Sequence, residues 1–144
     1  MLTYKLSTLV LASLCLASCS TLGGSESSQN CTEGKSCLLK GRLTLAAGQP
    51  PAWSAVLNLR DGTCVKLALP DEFFTTNGTE GWSNAAVEVM GAAFLQPSFK
   101  DEDAVLWYEQ DGCKVATGIC DGGMGLRVDS MRSRLGAAWP SPSL

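Results

Sequence analysis

Histidine is absent from the 144-residue sequence, and only 17% of the residues are charged. Without histidine, the chain alone cannot form a Ser-His-Asp triad, a Cys-His pair, an imidazole general base or a Cys2His2 zinc site. The 7 cysteines include no C-x-x-C pair, which argues against a thiolate metal site and against a redox-active dithiol. The composition therefore predicts neither a metal nor a cofactor.

Positive charge is in short supply as well, with 11 Lys and Arg against 14 Asp and Glu. Because non-specific nucleic-acid binding depends on clustered cations, this acidic balance predicts no nucleic-acid partner. A chain of this length is enough for one domain with one core and too short for two ordinary domains. The 15 glycines and the β-branched runs favour strands and turns over a helical bundle.

The N-terminal segment has the pattern of an export signal. Lys5 precedes an apolar stretch from Leu6 to Leu16 that contains small hydroxyl residues. This stretch is shorter than the roughly 20 residues that a membrane-spanning helix needs, and it fits the hydrophobic region of a secretory signal. The alternative is a buried core helix, for which Ser18 to Ser20 and Gly23 to Ser25 are a poor continuation.

The residues Leu16-Ala17-Ser18-Cys19 resemble the lipobox of bacterial lipoproteins. This resemblance implies that Cys19 carries a thioether-linked diacylglycerol, is cleaved on its N-terminal side and is then N-acylated. Several acyl chains on one residue anchor a protein stably to a lipid bilayer. Since Ser20 follows, and not the Asp of the inner-membrane retention signal, the resemblance implies the inner leaflet of the outer membrane, facing the periplasm. The alternatives are the inner membrane and plain secretion.

These features divide the chain into four predicted segments. Residues 1–18 are the signal peptide, and residues 19–36 are a lipid-anchored flexible tether, because Ser20 to Asn30 is rich in Ser, Gly and Gln. Residues 37–135 form the folded domain. Residues 136–144 are a loose C-terminal tail.

Five cysteines remain once Cys15 is removed with the signal peptide and Cys19 is acylated, and an oxidising compartment lets them pair. We expect the short-range disulfides Cys31–Cys37 and Cys113–Cys120, which leaves Cys64 as the free thiol. In the competing arrangement Cys64 pairs with Cys113 or Cys120. That pairing would pin the long excursion of residues 95–124 across the domain and leave a loop thiol free.

Period-two alternation predicts strands at 37–45, 55–59, 63–69, 86–95 and 125–131, with a further strand or edge at 105–108. Between the second and third strands, a three-residue loop with a left-handed Gly62 pairs Leu57 with Val65. This register buries Leu57, Leu59, Val65 and Leu67, and it points Asn58 and Lys66 outward. In the last strand the alternation separates Leu126, Val128 and Ser130 from Arg127, Asp129 and Met131.

The strand order and its glycines resemble small periplasmic bacterial OB-fold proteins. The likeness lies in Leu39 to Leu43, the Asp61-Gly62 hairpin, Val87 to Gly91 and Leu126 to Val128. It implies an all-β fold, a small five-stranded OB-like barrel, with a small β-sandwich as the alternative. The excursion departs from that family, whose members have a short loop there.

By analogy with OB barrels, we expect a non-catalytic binding or accessory module for a protein, a saccharide or another small ligand. The candidate ligand contacts are aromatic residues outside the regular strands, which could equally cap the ends of the barrel: Trp53, Phe74, Trp82, Trp107 and Tyr108. The alternatives are a structural subunit of an envelope assembly with an envelope protein as partner, or a carboxylate-based hydrolase. The acids Asp71-Glu72 and Asp101 to Asp103 would serve the hydrolase, but adjacent acids on a loop are usually solvated, so the prediction is that the protein is not an enzyme.

Overall fold

The structure is a computed structural model that describes residues 31–47, 52–76, 79–100 and 103–143. The predicted signal peptide, the acylated Cys19 and the tether up to residue 30 lie outside the described residues. Within the described residues, eight strands and one short helix follow one another: β1 (Ser36–Ala47), β2 (Trp53–Leu59), β3 (Cys64–Ala68), α1 (Asp71–Thr76), β4 (Ala86–Leu95), β5 (Trp107–Gln110), β6 (Cys113–Ala116), β7 (Met124–Ser133) and β8 (Ala138–Trp139).

Five of these strands close into a barrel in the order β1-β2-β3-β7-β4, and β4 pairs back onto β1. Only the β3–β7 pairing in this ring is parallel. The prediction of an all-β, OB-like five-stranded barrel is confirmed, and closure of the ring excludes the β-sandwich alternative. The remaining strands are additions: β5 and β6 belong to the excursion, and β8 pairs antiparallel with the end of β7.

The long strand β1 joins the two sides of the barrel by changing partner along its length. Residues 36–42 pair with β4 and residues 41–47 pair with β2, so Gly41 and Arg42 have partners on both sides. Gly41 lies where its neighbour crowds the strand, because a Cβ there would be 2.5 Å from the carbonyl oxygen of Asn58. The inward residues Leu39 and Leu43 are buried in the core, as their alternation predicts.

The β2–β3 hairpin has the predicted register. Leu57 pairs with Val65, the Leu59 amide donates to the Thr63 carbonyl at 2.8 Å, and Gly62 has a φ of +87°. Its apolar face lies inside the barrel, since Leu57 and Val65 are fully buried.

The alternation predicted for β7 is wrong beyond Val128. A β-bulge shifts the β4–β7 register between Met90 and Gly91, so that Met90 pairs with Ser130 while Gly91 pairs with Val128. An extra residue in one strand reverses the side on which all later residues lie. Met131 is therefore buried in the core, and Ser130 is exposed.

Both predicted domain boundaries are also corrected. Cys31 is 7% exposed and packs in the core cluster, so residues 31–36 belong to the folded domain and not to the tether. At the other end, Trp139 pairs with Met131 and its ring lies 5.8 Å from Phe73. The prediction of a loose tail from residue 136 onward is therefore wrong for Ala138 and Trp139, which form β8.

The link between β3 and β4, predicted to be irregular, contains α1. This helix buries Phe73 completely, and the Phe73 ring makes edge contacts to Phe74 and Trp82 at centroid distances of 5.1 and 5.6 Å. The aromatic cluster formed in this way has Phe73, Phe74 and Trp82 in the barrel core, and the partly buried Trp53 and Trp139 pack against them.

Candidate functional site

The cysteine pairing shows how the excursion is held. Cys31–Cys37 forms as predicted, with a Cα–Cα distance of 5.6 Å, but Cys64 pairs with Cys120 at 6.0 Å. The expected Cys113–Cys120 bridge with a free Cys64 is therefore wrong, and the competing arrangement is correct. Cys113 is not a loop residue, because it lies in β6 with its side chain buried beside Ala68 and Phe94. Cys120 lies instead in the segment that crosses the outer side of β3.

Lys66 is buried, although the hairpin register correctly points it away from the barrel interior. Its ammonium group donates to the Ala116 carbonyl at 2.8 Å and to the Asp121 carboxylate at 2.9 Å. The Lys66 side chain is 0% exposed, whereas that of Asp121 is 49% exposed. The expectation of an outward, solvated Lys66 fails because the excursion covers this side of β3, while Asn58 on β2 is exposed as predicted.

Two further residues fasten the excursion. The Gln96 side chain donates to the carbonyls of Cys120 and Gly122 at 3.0 and 2.8 Å. The Tyr108 hydroxyl donates to the Gln96 amide oxygen at 3.4 Å. Burial, and then the charge of Asp121, raises the pKa of Tyr108 to about 12, so the phenol stays neutral at physiological pH.

Among the described cysteines, Cys113 is the one outside a disulfide, and packing of the excursion against the barrel buries its thiol. Burial raises the pKa of the Cys113 thiol, and the nearby Arg127 only partly opposes this effect. A thiol that is buried and protonated is a poor nucleophile. Cys113 is therefore a packing residue of the excursion.

The surface that OB barrels most often use for ligands is occupied by the chain itself. OB folds bind oligonucleotides and oligosaccharides across their second and third strands, between flanking loops. Here all three outward residues of β3 are engaged by the excursion: Cys64 in the disulfide, Lys66 in the ion pair and Ala68 in packing against Val115. In the structure described, the excursion covers the β3 part of this face, while Asn58 of β2 stays exposed to solvent.

The five aromatic residues predicted to contact a ligand do not form one site. Trp53 stacks on Phe74 with centroids 5.1 Å apart, and Phe74 and Trp82 are buried in the aromatic cluster. These three take the alternative role of closing the barrel. Trp107 and Tyr108 are half-buried in β5, on the excursion.

The opposite outer face, formed by β1, β4 and β7, is open, and strand register arranges its side chains in rows. One row runs from Lys40 through Glu88 to Arg132. On one side of it, Leu38 lies opposite Met90, which lies opposite Ser130. On the other side, Arg42 lies opposite Ala86, whose carbonyl accepts the Arg134 amide at 3.0 Å. We call these three rows the open face.

Two grooves run along the open face and share Glu88, and the larger one continues onto β2 at Asn58 to Arg60. The larger, of about 430 Å³, is lined by Lys40, Arg42, Arg60, Arg134 and their neighbours. The smaller, of about 300 Å³, is lined by Leu38, Met90, Arg132, Trp139 and Pro140 among others. Together they contain five cations and one carboxylate, although the whole chain has more acids than bases. The larger groove is suited to an anion.

Two of these cations are held by the barrel itself. Lys40 forms an ion pair with Glu88 at 3.3 Å, and the Arg42 guanidinium donates to the Asn84 carbonyl at 2.7 Å. The Asn84 residue has a φ of 62°, and its amide donates to the Leu43 carbonyl at 2.7 Å, which fixes this corner against β1. The groove therefore has a defined wall with guanidinium groups along it.

Sequence reasoning did not predict the open face, although part of its signal is visible in the sequence. Lys40 and Arg42 alternate with inward residues in β1, and Arg132 lies near the end of β7 with Arg134 in the turn that follows. Alternation shows that Lys40 and Arg42 share one side of their strand. It does not show that β4 brings the two pairs together.

The acids considered for hydrolysis are not gathered into a site in the described part of the chain. Asp71 lies at the start of α1 and pairs with Lys114 at 3.0 Å on the surface, and Glu72 is exposed. Asp101 and Glu102 lie outside the described residues. Among the residues described, no group of three or more Cys, Asp or Glu side chains is arranged to hold a metal ion.

Comparisons with protein-family models, curated proteins and solved structures found no match. Within the ranges that the structure describes, no helix is long and apolar enough to cross a membrane. The functional interpretation consequently depends on the geometry of the open face and on the pattern of the N-terminal residues.

Proposed function

We propose that this protein is a non-catalytic binding module of the bacterial cell envelope, anchored through acylated Cys19, whose open face binds an anionic ligand. The observation that carries the proposal is the concentration of five cations and one carboxylate in two adjoining grooves of an acidic chain. Guanidinium groups suit phosphate and carboxylate because they donate several hydrogen bonds in a fixed planar geometry.

The barrel supports this role by holding the cations in place. Lys40, Arg42 and Arg132 lie on hydrogen-bonded strands, so their backbone positions are fixed before a ligand arrives. Preorganisation lowers the entropic cost of binding. The excursion supports the role in a second way, because it covers the outer side of β3 and leaves the larger groove exposed.

The anchor is tested by the Cys19→Ala substitution in cells. Loss of the thiol removes the atom that accepts the diacylglycerol, so palmitate labelling should disappear and the protein should leave the membrane fraction. Cys15→Ala is the matched control, since Cys15 precedes the predicted cleavage site, and it should leave both readouts unchanged. A Cys19→Ala protein that still labels with palmitate would show that the lipobox interpretation is wrong.

Anion binding is tested with inorganic tripolyphosphate as the probe, by calorimetry at low ionic strength. The double variant Arg42→Gln/Arg134→Gln should weaken binding at least about tenfold, because each charged hydrogen bond contributes roughly 1.5 kcal/mol or more. The control Lys100→Gln/Lys114→Gln removes the same charge from the excursion and should change the affinity less than twofold. Equal losses in the two variants would show that only net charge matters.

A further inference from the structure

The apolar row of the open face adjoins its cationic rows, and it is unusually exposed. Leu38 and Met90 face each other across β1 and β4 and are 51% and 46% exposed. Trp139 and Pro140 line the same groove. Large apolar side chains bordered by Lys and Arg, with a Trp beside them, are the residue types that interfacial amphipathic helices present to an anionic bilayer, and here strands present them.

The geometry of the rows matches a layered interface. Side chains two residues apart on a strand are separated by about 6.6 Å, so the apolar row, the Lys40 row and the Arg42 row follow one another in steps of that size. A bilayer presents its acyl boundary and its phosphates within a similar depth. Leu38 and Met90 can therefore enter the boundary while the neighbouring cations contact phosphates.

The place where the chain enters the barrel also favours a lipid bilayer as the ligand of the open face. β1 begins at Ser36, two residues before Leu38, and the Cys31–Cys37 disulfide holds the preceding segment beside it. The residues between Cys19 and Cys31 can span at most about 40 Å when fully extended. This length lets a domain anchored at Cys19 place the edge that carries Leu38 against the bilayer.

The excursion offers a contrasting surface. It also exposes apolar side chains, including Leu106 at 55% and Ile119 at 50%. However, Asp103, Glu109, Asp111 and Asp121 are all exposed on this segment. Anionic lipid would repel these acids, so the excursion is expected to face away from the bilayer.

We infer that the anionic ligand of the open face is the surface of an anionic phospholipid bilayer, with lipid phosphates in the cationic groove and Leu38 and Met90 at the acyl boundary. This inference rests on the proposed function and adds to it the identity of the ligand. It assigns the end of the open face that carries Leu38 and Met90 as the part of the domain that enters the membrane surface.

The test measures partition of the full chain carrying Cys19→Ala, so that no acyl chain contributes. Vesicles of phosphatidylcholine are compared with vesicles containing about one third phosphatidylglycerol, and every variant carries the same N-terminal segment. The protein that carries Cys19→Ala and an unchanged open face should partition at least tenfold more strongly into the anionic vesicles. Removing four cations (Lys40→Gln, Arg42→Gln, Arg132→Gln and Arg134→Gln) should abolish most of this preference, because each basic residue near an anionic surface contributes about fivefold.

A second variant, Leu38→Ser/Met90→Ser, keeps every charge and should reduce partition about tenfold. Its control, Leu106→Ser/Ile119→Ser on the excursion, should change it less than twofold. Equal partition into both vesicle types, or equal losses in the two serine variants, would overturn the inference. If tripolyphosphate binds the groove but vesicles do not, the proposed function stands and the bilayer is the wrong ligand; if neither binds, both proposals fail.

Discussion

Lys66 is a buried cation whose ion-pair partner, Asp121, is about half exposed to solvent. Its ammonium group has lost its hydration and relies on the Ala116 carbonyl and the Asp121 carboxylate. Removing one member of a buried pair is costly when the charge left behind stays buried, and here Asp121 can be solvated whereas Lys66 cannot. The two residues of this ion pair should therefore respond unequally to substitution.

We expect Asp121→Ala to lower the free energy of unfolding by about 1 to 3 kcal/mol, because Lys66 keeps its buried charge with one acceptor fewer. Lys66→Met should cost less, since Asp121 can then be solvated. Urea unfolding measures both, and Lys114→Met, which breaks the exposed pair with Asp71, serves as the control with a change below about 0.5 kcal/mol. A greater loss in Lys66→Met than in Asp121→Ala would contradict this account.

Tyr108 gives the packing of the excursion a pH signature. Its folded-state pKa of about 12 lies above the ordinary value of 10.0, so the neutral phenol is favoured by folding. This contribution to stability is complete below pH 10.0 and is lost as the pH rises toward about 12. In the Tyr4→Phe variant, where Tyr108 is the remaining tyrosine, absorbance near 295 nm should report a midpoint close to 12. A midpoint near 10 in folded protein would mean that the phenol is solvated.

At the scale of the elements, two glycines do different work in the barrel. Gly62 ends the β2–β3 turn with a φ of +87°, and an added Cβ would meet nothing within 4 Å. Gly91 lies at the bulge between β4 and β7, where a Cβ would collide with the Arg127 carbonyl oxygen. The first glycine is required by backbone conformation and the second by the close approach of two strands.

Gly62→Ala should therefore lower the free energy of unfolding by about 1 kcal/mol, because a residue with a side chain adopts the left-handed conformation unfavourably. Gly91→Ala should cost more, about 2 kcal/mol or above, because backbone must move to make room. Thermal unfolding of the two variants gives the comparison, and far-ultraviolet circular dichroism shows whether the strands persist. If Gly91→Ala is the milder change, the close β4–β7 approach at the bulge is not as described.

Across the whole molecule, the features that could be predicted from the sequence are those encoded by local alternation. The five barrel strands, the Leu57–Val65 register and the Cys31–Cys37 bridge follow from neighbouring residues. Alternation assigns Lys66 to the outer side of β3, but it carries no information on whether another segment covers that side. The covering segment lies about fifty residues later, at Ala116 and Asp121.

The open face could not be predicted for a related reason. It requires β4 to lie between β1 and β7, and this order follows from closure of the barrel rather than from any one strand. The same applies to Met131, whose side of β7 depends on a bulge against β4. Pairing between distant strands decides what each outward side chain meets.

The two disulfides should contribute unequally to the free energy of unfolding, because they close loops of very different length. Cys64–Cys120 spans 56 residues and Cys31–Cys37 spans 6, so the chain-entropy estimates are roughly 4 and roughly 2 kcal/mol. In a Cys15→Ala/Cys19→Ala background, Cys64→Ser/Cys120→Ser should lower the free energy of unfolding about twice as much as Cys31→Ser/Cys37→Ser, as measured by urea unfolding.

Of these two variants, only Cys64→Ser/Cys120→Ser releases the segment over β3, so in it the buried Cys113 should react with a thiol reagent at least about tenfold faster. The barrel circular dichroism should persist in both variants. Equal Cys113 reactivity in the two would show that packing around Lys66 and Gln96 holds the excursion without its disulfide.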